Sequence, residues 1–478
     1  MFRAKSLLLV CLLIPMSSAI AERAAVDRPN ILFIFADDQA YNTIHALGNE
    51  EIQTPNLDRL VQRGTTFTRC YNQGSWSGAV CVASRNMLNT GRFLWHAHRV
   101  SNNSEQEREA GRFWSEHLKK AGYETYFSGK WHVRASADKA FDYARHIRPG
   151  MPNQTKQGYN RPIEGQVDPW SPFDTKFEGF WKGGKHWSEV LADDAVEYLA
   201  QASKRDDPFF MYLAFNAPHD PRQSPQEYVD RYPLKNVSVP LSYLPEYPYK
   251  DAIGCGKSLR DEKLAPFPRT EYAVKVNRQE YYAIITHMDA QIGRILSALE
   301  KTGKADNTYI FYSADHGLAV GHHGLLGKQN LFDHSVRVPF IVRGPKAPVG
   351  EQLDGPIYLQ DVMATTLELA GVDKPDHVEF RSILPILQGD RAENYDAIYG
   401  AYLSVQRMVT ADGFKLLLYP KIKKALLFDL QKDPHEMNNL ADSAPHERTV
   451  KRLFARLLEL QQETGDTLDL KSVYPDLT

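Results

Sequence analysis

The residues best suited to chemistry fall in a few short runs. Cys81 is followed four positions on by Arg85, inside Ser77-Gly78-Ala79-Val80-Cys81-Val82-Ala83-Ser84-Arg85. A guanidinium keeps its proton at any ordinary pH, so a nucleophile beside it can carry negative charge at lower cost. The same spacing also suits a cysteine buried at the start of a helix, and the pair alone does not separate the two readings. Asp37-Asp38, His219 in Asn216-Ala217-Pro218-His219-Asp220-Pro221, and Asp315-His316 each stand at the end of an apolar run. A single acid in such a place can cap a helix or sit in a solvated turn. Several strand ends of one sheet converge on one edge, which favours a site over separate caps. Carboxylates gathered there need a cation between them, because like charges repel. Oxygen donors favour Ca²⁺ or Mg²⁺ over Zn²⁺, and the single imidazole of His316 does not reverse that preference.

The elements that must position these groups are legible as apolar patterns. Residues 29–36, 123–128, 208–215, 307–313 and 336–342 read as buried strands, the first as a parallel-sheet strand. Between them lie helical patterns. One opens at Thr54-Pro55 and ends at Gly64; others cover 113–121, 189–202, 272–300 and 358–369. From 135 to 185 runs a long irregular stretch rich in Gly, Pro, Asn, Trp and Tyr. Loops of that length inside a domain are usually functional. Its Arg148, Arg161, Trp170 and Trp181 suit acidic groups and sugar faces, although Trp in a long loop can equally pack the loop down. Beyond Gly371 the texture changes. Residues 397–409 and 413–419 read as antiparallel strands about Asp412-Gly413, 427–434 as a strand entering a turn, and 446–462 as an amphipathic helix.

Composition narrows the class. The chain has 478 residues and a net charge of −2, so anion recognition must be local and no nucleic-acid partner is expected. Arg3, Lys5, the apolar residues 7–14 and Ala19-Ile20-Ala21 read as a secretory leader over 1–21, which predicts a periplasmic or secreted protein. No run is long enough for a membrane span. Past the leader the cysteines are Cys70, Cys81 and Cys255, which is no disulfide framework, although Cys70 and Cys255 could pair. Zinc-peptidase, zinc-finger and nucleotide-binding motifs are absent.

Taken in order, Asp37-Asp38, the run from Ser77 through Thr90-Gly91-Arg92, Gly129-Lys130-Trp131-His132, Pro218-His219, Ala314-Asp315-His316-Gly317, Gly327-Lys328 and the tail from Leu427 to Leu440 resemble the sulfatase family. Ala83 stands where that family usually has Pro. The resemblance implies an alkaline-phosphatase-like α/β fold: a large mixed sheet sandwiched by helices over 22–370, with a smaller C-terminal α+β subdomain over 371–478. It implies that Cys81 is oxidised to formylglycine by a formylglycine-generating maturation enzyme. Asp37, Asp38, Asp315 and His316, with an oxygen of the modified Cys81, would hold one Ca²⁺, with Mg²⁺ second. Arg85 and Lys130 would steady the formylglycine, and His132 would accept its proton. His219 and Lys328 would bind the ester and protonate the leaving oxygen. The implied activity is hydrolysis of sulfate monoesters on a sulfated glycan. Arg222 and His323 join Arg161, Trp170 and Trp181 as expected substrate contacts. The alternatives are a phosphomonoester or phosphonate hydrolase, and a non-catalytic glycan-binding protein.

Overall fold

The apolar run near the amino end forms Asn30–Ala36, a middle strand of an eight-stranded sheet, with every residue buried. Each of its Ile, Leu and Phe side chains stabilises the fold by ~1.5–3 kcal/mol on burial, provided both faces of the sheet are covered. This computed structural model describes residues 28–478, so the expected leader lies outside the described residues. Across the sheet the order is Glu351–Leu353, Thr65–Phe67, Phe340–Arg343, Thr308–Ala314, Asn30–Ala36, Phe209–Ala214, Glu124–Lys130 and Tyr143–Arg148. Asn30–Ala36 runs parallel to both neighbours, and Glu124–Lys130 runs parallel to Phe209–Ala214. Phe340–Arg343 pairs antiparallel with Thr308–Ala314, which makes the sheet mixed. The carboxyl ends of four parallel strands therefore lie along one edge, and Asp37, Lys130, Asn216 and Asp315 leave from it.

Two groups of helices flank the sheet. Glu271–Lys301 packs with Trp187–Ala202 and Pro55–Arg63, while Trp114–Lys120 packs with Val80–Thr90 and Asp361–Leu369. Trp114 meets Phe33 and Phe210 at 5.2 and 4.7 Å between ring centres and donates to Thr366 Oγ1 at 2.7 Å, tying that group to the strands. Among the described residues no helix is long and apolar enough to cross a membrane.

The C-terminal part is a five-stranded sheet in the order Lys424–Asp429, Phe414–Tyr419, Gln406–Ala411, Ala397–Tyr402 and Gly74–Ser75. Helix Glu447–Thr464 covers it with Val450, Leu453, Phe454 and Leu457 buried. The last strand comes from the amino-terminal part: Ala401 and Tyr402 pair with Gly74 and Ser75, just ahead of the Cys81 helix.

Several expectations change. The strand expected over 397–409 is two, because the chain reverses at Leu403, whose φ is +46°, with Val405 N–H donating to Tyr402 O at 3.1 Å. The strand over 336–342 divides at Pro339, which has no N–H to give a ladder. The stretch 135–185 contains Ala137–Ala140 and the edge strand Tyr143–Arg148. Thr54 does not cap Pro55–Arg63 with its side chain. Asp289, from the long helix, takes the Asn56 and Leu57 amides instead at 3.1 and 2.8 Å. Cys70 and Cys255 are both free, so they form no disulfide. Cys255 Sγ donates to Gln329 O at 3.2 Å, while Cys70 lies in a strand pair with Ile357 and Val338.

Candidate active site

Cys81 is the second residue of Val80–Thr90, so the helix reading of its spacing holds. One helical turn separates Cys81 from Arg85 and puts both on the face toward the strand ends. Cys81 Sγ lies 3.2 Å from Asp37 Oδ1 and 3.6 Å from Asp38 Oδ1, and Lys328 Nζ stands 3.3 Å from the sulfur. The thiol is nearly closed off, at 2% exposure. Burial first, then Asp315 and Asp37, push its pKa well above the usual thiol value.

Arg85 forms the floor. Its Nε donates to Asp315 Oδ2 at 3.0 Å, its Nη1 to Lys130 O at 2.6 Å, and its guanidinium covers the Phe35 ring at 5.0 Å. Lys130 Nζ donates to Asp37 Oδ2, and Lys328 Nζ donates to Asp38 Oδ2. All of these charged groups are buried. Burial opposes the Lys328 ammonium, but Asp38, the Cys81 sulfur, Asp261 and Asp37 outweigh it and hold its pKa well above the ordinary value. Burial likewise pushes Asp37 up, but Lys130, with Arg85 and Lys328, wins and holds it well below the carboxylate range. Buried charges survive where each is matched in this way.

His219 Nδ1 lies 2.8 Å from Asp220 O and 3.0 Å from Asp220 Oδ1. With the proton on Nδ1 donated to Asp220, Nε2 is left to accept from Lys328 Nζ at 2.9 Å. His132 has φ +57°, a buried Nδ1 without a hydrogen-bond partner, and a pKa pushed down to about 3 by burial, Lys130 and Arg85. It is therefore a neutral imidazole.

Asp37, Asp38, Cys81 and His219 bring donor atoms within 4.8 Å of one another, all buried. Asp315 stands against this group, accepting from the Asp38 N–H at 3.0 Å through Oδ1 and from Arg85 through Oδ2. Hard carboxylate oxygens beside a single imidazole fit a divalent cation of the Ca²⁺ or Mg²⁺ type. His316 lies outside the group; its Nδ1 is 3.2 Å from Gly317 O, and burial pushes its pKa down to about 3.

The expected substrate contacts divide. Arg222 is buried beside the site, donating to Asn277 Oδ1 at 2.8 Å, with Nε and Nη2 unpartnered. Arg161 is instead consumed by Asp168 and Glu280 and lies over Trp170 at 4.9 Å. Trp170 is 5% exposed and packs near Phe177. Trp181 donates to Pro172 O at 3.3 Å and meets His186 edge-on. These residues pack the long loop down, with Arg161 neutralised by Asp168 of the loop and Glu280 of the long helix. His323 turns into the C-terminal part, stacked on Phe332 at 4.0 Å with Nε2 3.1 Å from Glu436 O.

Sequence reasoning passed over Arg260, whose Nη1 donates to Asp220 Oδ2 at 3.0 Å behind His219. It sits in a Pro- and Tyr-rich loop with no local signal. It also passed over a cleft of about 770 Å³ lined by Trp76, Ser77, His98, Asn102, His132 and Arg134 among others.

The family description "Sulfatase" matches residues 29–372, and "N-sulphoglucosamine sulphohydrolase, C-terminal" matches residues 321–463. The chain belongs to the sulfatase family, whose chemistry makes it a sulfuric ester hydrolase. It is 26% identical to an N-acetylglucosamine-6-O-sulfatase of Bacteroides thetaiotaomicron, over 94% of this chain and 89% of that one. It is also 26% identical to an arylsulfatase of Clostridium perfringens, over 91% of this chain and 95% of that one. In fold it is similar to BT4656, solved with D-glucosamine-2-N,6-O-disulfate, at TM-score 0.71 and 24% identity over 92% of this chain and 99% of that one. A phosphonate monoester hydrolase of Agrobacterium radiobacter shares the fold at TM-score 0.72 and 23% identity, over 91% and 96%.

Proposed function

We propose that this sulfatase removes sulfate from a sulfated carbohydrate, with Cys81 matured to formylglycine and one Ca²⁺ held by Asp37, Asp38 and Asp315. The observation that carries the reading is the convergence on Cys81 Sγ of Asp37, Asp38 and Lys328, with Arg85 and Lys130 held against the same carboxylates. The three carboxylates face three fixed cations, Arg85, Lys130 and Lys328, so a divalent ion would leave the site cationic and suited to a sulfate ester. The cation would polarise the sulfate oxygens and the formylglycine hydrate would supply the attacking hydroxyl.

The chain's own residues do the rest. Lys130 and Lys328 orient the sulfate by charge. Lys328 and His219, in hydrogen-bond contact at 2.9 Å, deliver a proton to the leaving ester oxygen. Neutral His132 accepts the proton whose loss frees the product sulfate. Buried walls exclude water and strengthen each of these interactions. The carbohydrate assignment draws on relatives named for N-acetylglucosamine 6-sulfate and for ulvan. An exported location, read from residues 1–21, suits a polymeric substrate.

The test is peptide mass spectrometry at Cys81, with sulfate release from N-acetylglucosamine 6-sulfate and from 4-nitrophenyl sulfate measured beside 4-nitrophenyl phenylphosphonate. Aldehyde at Cys81 and preference for the sulfates are expected. Full activity with an intact thiol, or faster turnover of the phosphonate, would overturn the proposal.

A further inference from the structure

Apart from His132, the cleft beside the reaction centre has no part in the chemistry derived above. It holds about 770 Å³ and shares its wall with the site, since His132, Ala79 and Val82 all line it. That is the size of a small-molecule site, far more room than a sulfate group needs. Its lining is that of a sugar subsite. Trp76, half-buried, stands with its ring stacked on His98 at 5.1 Å and 17° between planes, so the indole is held flat before any ligand arrives. A pre-ordered aromatic pair on the cleft wall is a ready partner for the apolar face of a pyranose ring. Opposite charge is supplied by Arg134, exposed at the rim and oriented by a hydrogen bond to Asn102 Oδ1. Among the described residues no carboxylate lines this cleft. Arg134 therefore faces it with its charge uncancelled, unlike Arg161, whose two acids occupy it.

We propose that the cleft bounded by Trp76, His98, Asn102 and Arg134 binds a second, acidic sugar unit of the substrate, and that the chain acts on anionic sulfated oligosaccharides in preference to monosaccharides. The inference rests on the sulfatase reading of the Cys81 site and adds to it a substrate length and charge. Trp76 stacks on the ring of the neighbouring unit. Arg134 pairs with its sulfate or carboxylate. His132 marks the junction between the two units, since it belongs both to the catalytic group and to the cleft wall.

Two measurements test the proposal, one of them independent of turnover. Isothermal titration of the Cys81→Ser protein with a heparin-derived tetrasaccharide and with D-glucosamine-2-N,6-O-disulfate should find the tetrasaccharide bound more tightly. Trp76→Ala or Arg134→Ala, made in the Cys81→Ser protein, should weaken the tetrasaccharide by about tenfold, the scale of one lost stacking or charged contact. In the matured enzyme each single substitution should lower the ratio of kcat/KM for tetrasaccharide over 4-nitrophenyl sulfate by a similar factor, while Trp181→Ala leaves that ratio where it was. Equal binding of the two ligands, or a ratio indifferent to Trp76 and Arg134, would overturn the subsite. Absence of sulfate release with Trp76-dependent binding intact would defeat the hydrolytic reading and leave the subsite standing.

Discussion

Gly129→Ala asks whether the backbone delivers Lys130 to the site. Gly129 has φ +103°, and an added Cβ would stand 1.9 Å from Ala214 O and 2.8 Å from Leu191 Cδ1. The register between Glu124–Lys130 and Tyr143–Arg148 shifts between Ser128 and Gly129, and the next residue turns its ammonium on to Asp37. Left-handed φ costs a residue with a Cβ ~1–2 kcal/mol. Forcing the neighbours apart costs ~1–3 kcal/mol more, for roughly 2–5 kcal/mol in all. Gly371→Ala is the control: φ is +71° there, with nothing within 4 Å of the new Cβ, so only the first cost applies. Urea denaturation of both variants then isolates the steric part as a difference of ~1–3 kcal/mol. If Lys130 moves by ~1 Å with the strand, turnover of 4-nitrophenyl sulfate falls by up to ~100-fold. A Gly129→Ala protein as stable as the control and as active as the parent would refute the argument that the shift positions Lys130.

Further outcomes follow from the same geometry. A Cβ at residue 150 would lie 3.3 Å from His132 Nε2, so Gly150→Ala should lower turnover by about tenfold through His132 with little change in melting temperature. Ca²⁺ added at ~100 times its dissociation constant should stabilise chelator-treated protein by ~2.7 kcal/mol in thermal melts, and Asp37→Ala should abolish that gain. Asp289→Ala strands the Asn56 and Leu57 amides and should cost ~2–4 kcal/mol by chemical denaturation; a loss below half a unit would show that water replaces the carboxylate. Burial pushes Asp466 up, but its bonds to Arg407 outweigh this and hold its pKa below the ordinary value. The resulting stability is full above the unfolded pKa near ~4 and drains as pH falls below it, and Arg407→Leu should flatten that acid limb in pH-dependent melts.

The strand ends were readable because continuous apolar runs have one use in a mixed sheet, and polar groups directly after them have one edge to occupy. Asp37, Asp38, Lys130, His219 and Asp315 meet for that reason. What stayed hidden depends on partners distant in sequence. Thr54 carries the local signature of a cap, yet Asp289 supplies the oxygens from the long helix. Arg161, Trp170 and Trp181 have the composition of a sugar site, but composition does not reveal that Asp168 and Glu280 already hold the guanidinium. His323 follows His322 in the sequence, and only packing against the C-terminal part decides where its ring turns. Trp76 lies five residues before Cys81 in plain view, and only the stack on His98 distinguishes it from a core tryptophan.

The strand Gly74–Ser75, paired with Ala401–Tyr402, has a consequence for the order of events in the life of the chain. Asp37, Asp38 and Cys81 leave the ribosome early, while Asp315, Lys328 and the strand that fixes the approach to Cys81 leave late. Contacts of such long sequence separation cannot form until the intervening chain exists, and they form slowly when it does. Until Lys328 has been made, the contacts that enclose the thiol cannot be complete, and in the folded chain it is a 2% exposed side chain. If Cys81 is matured as proposed, the modifying enzyme would have to reach it before those contacts close, and a variant that folds faster would emerge less completely converted.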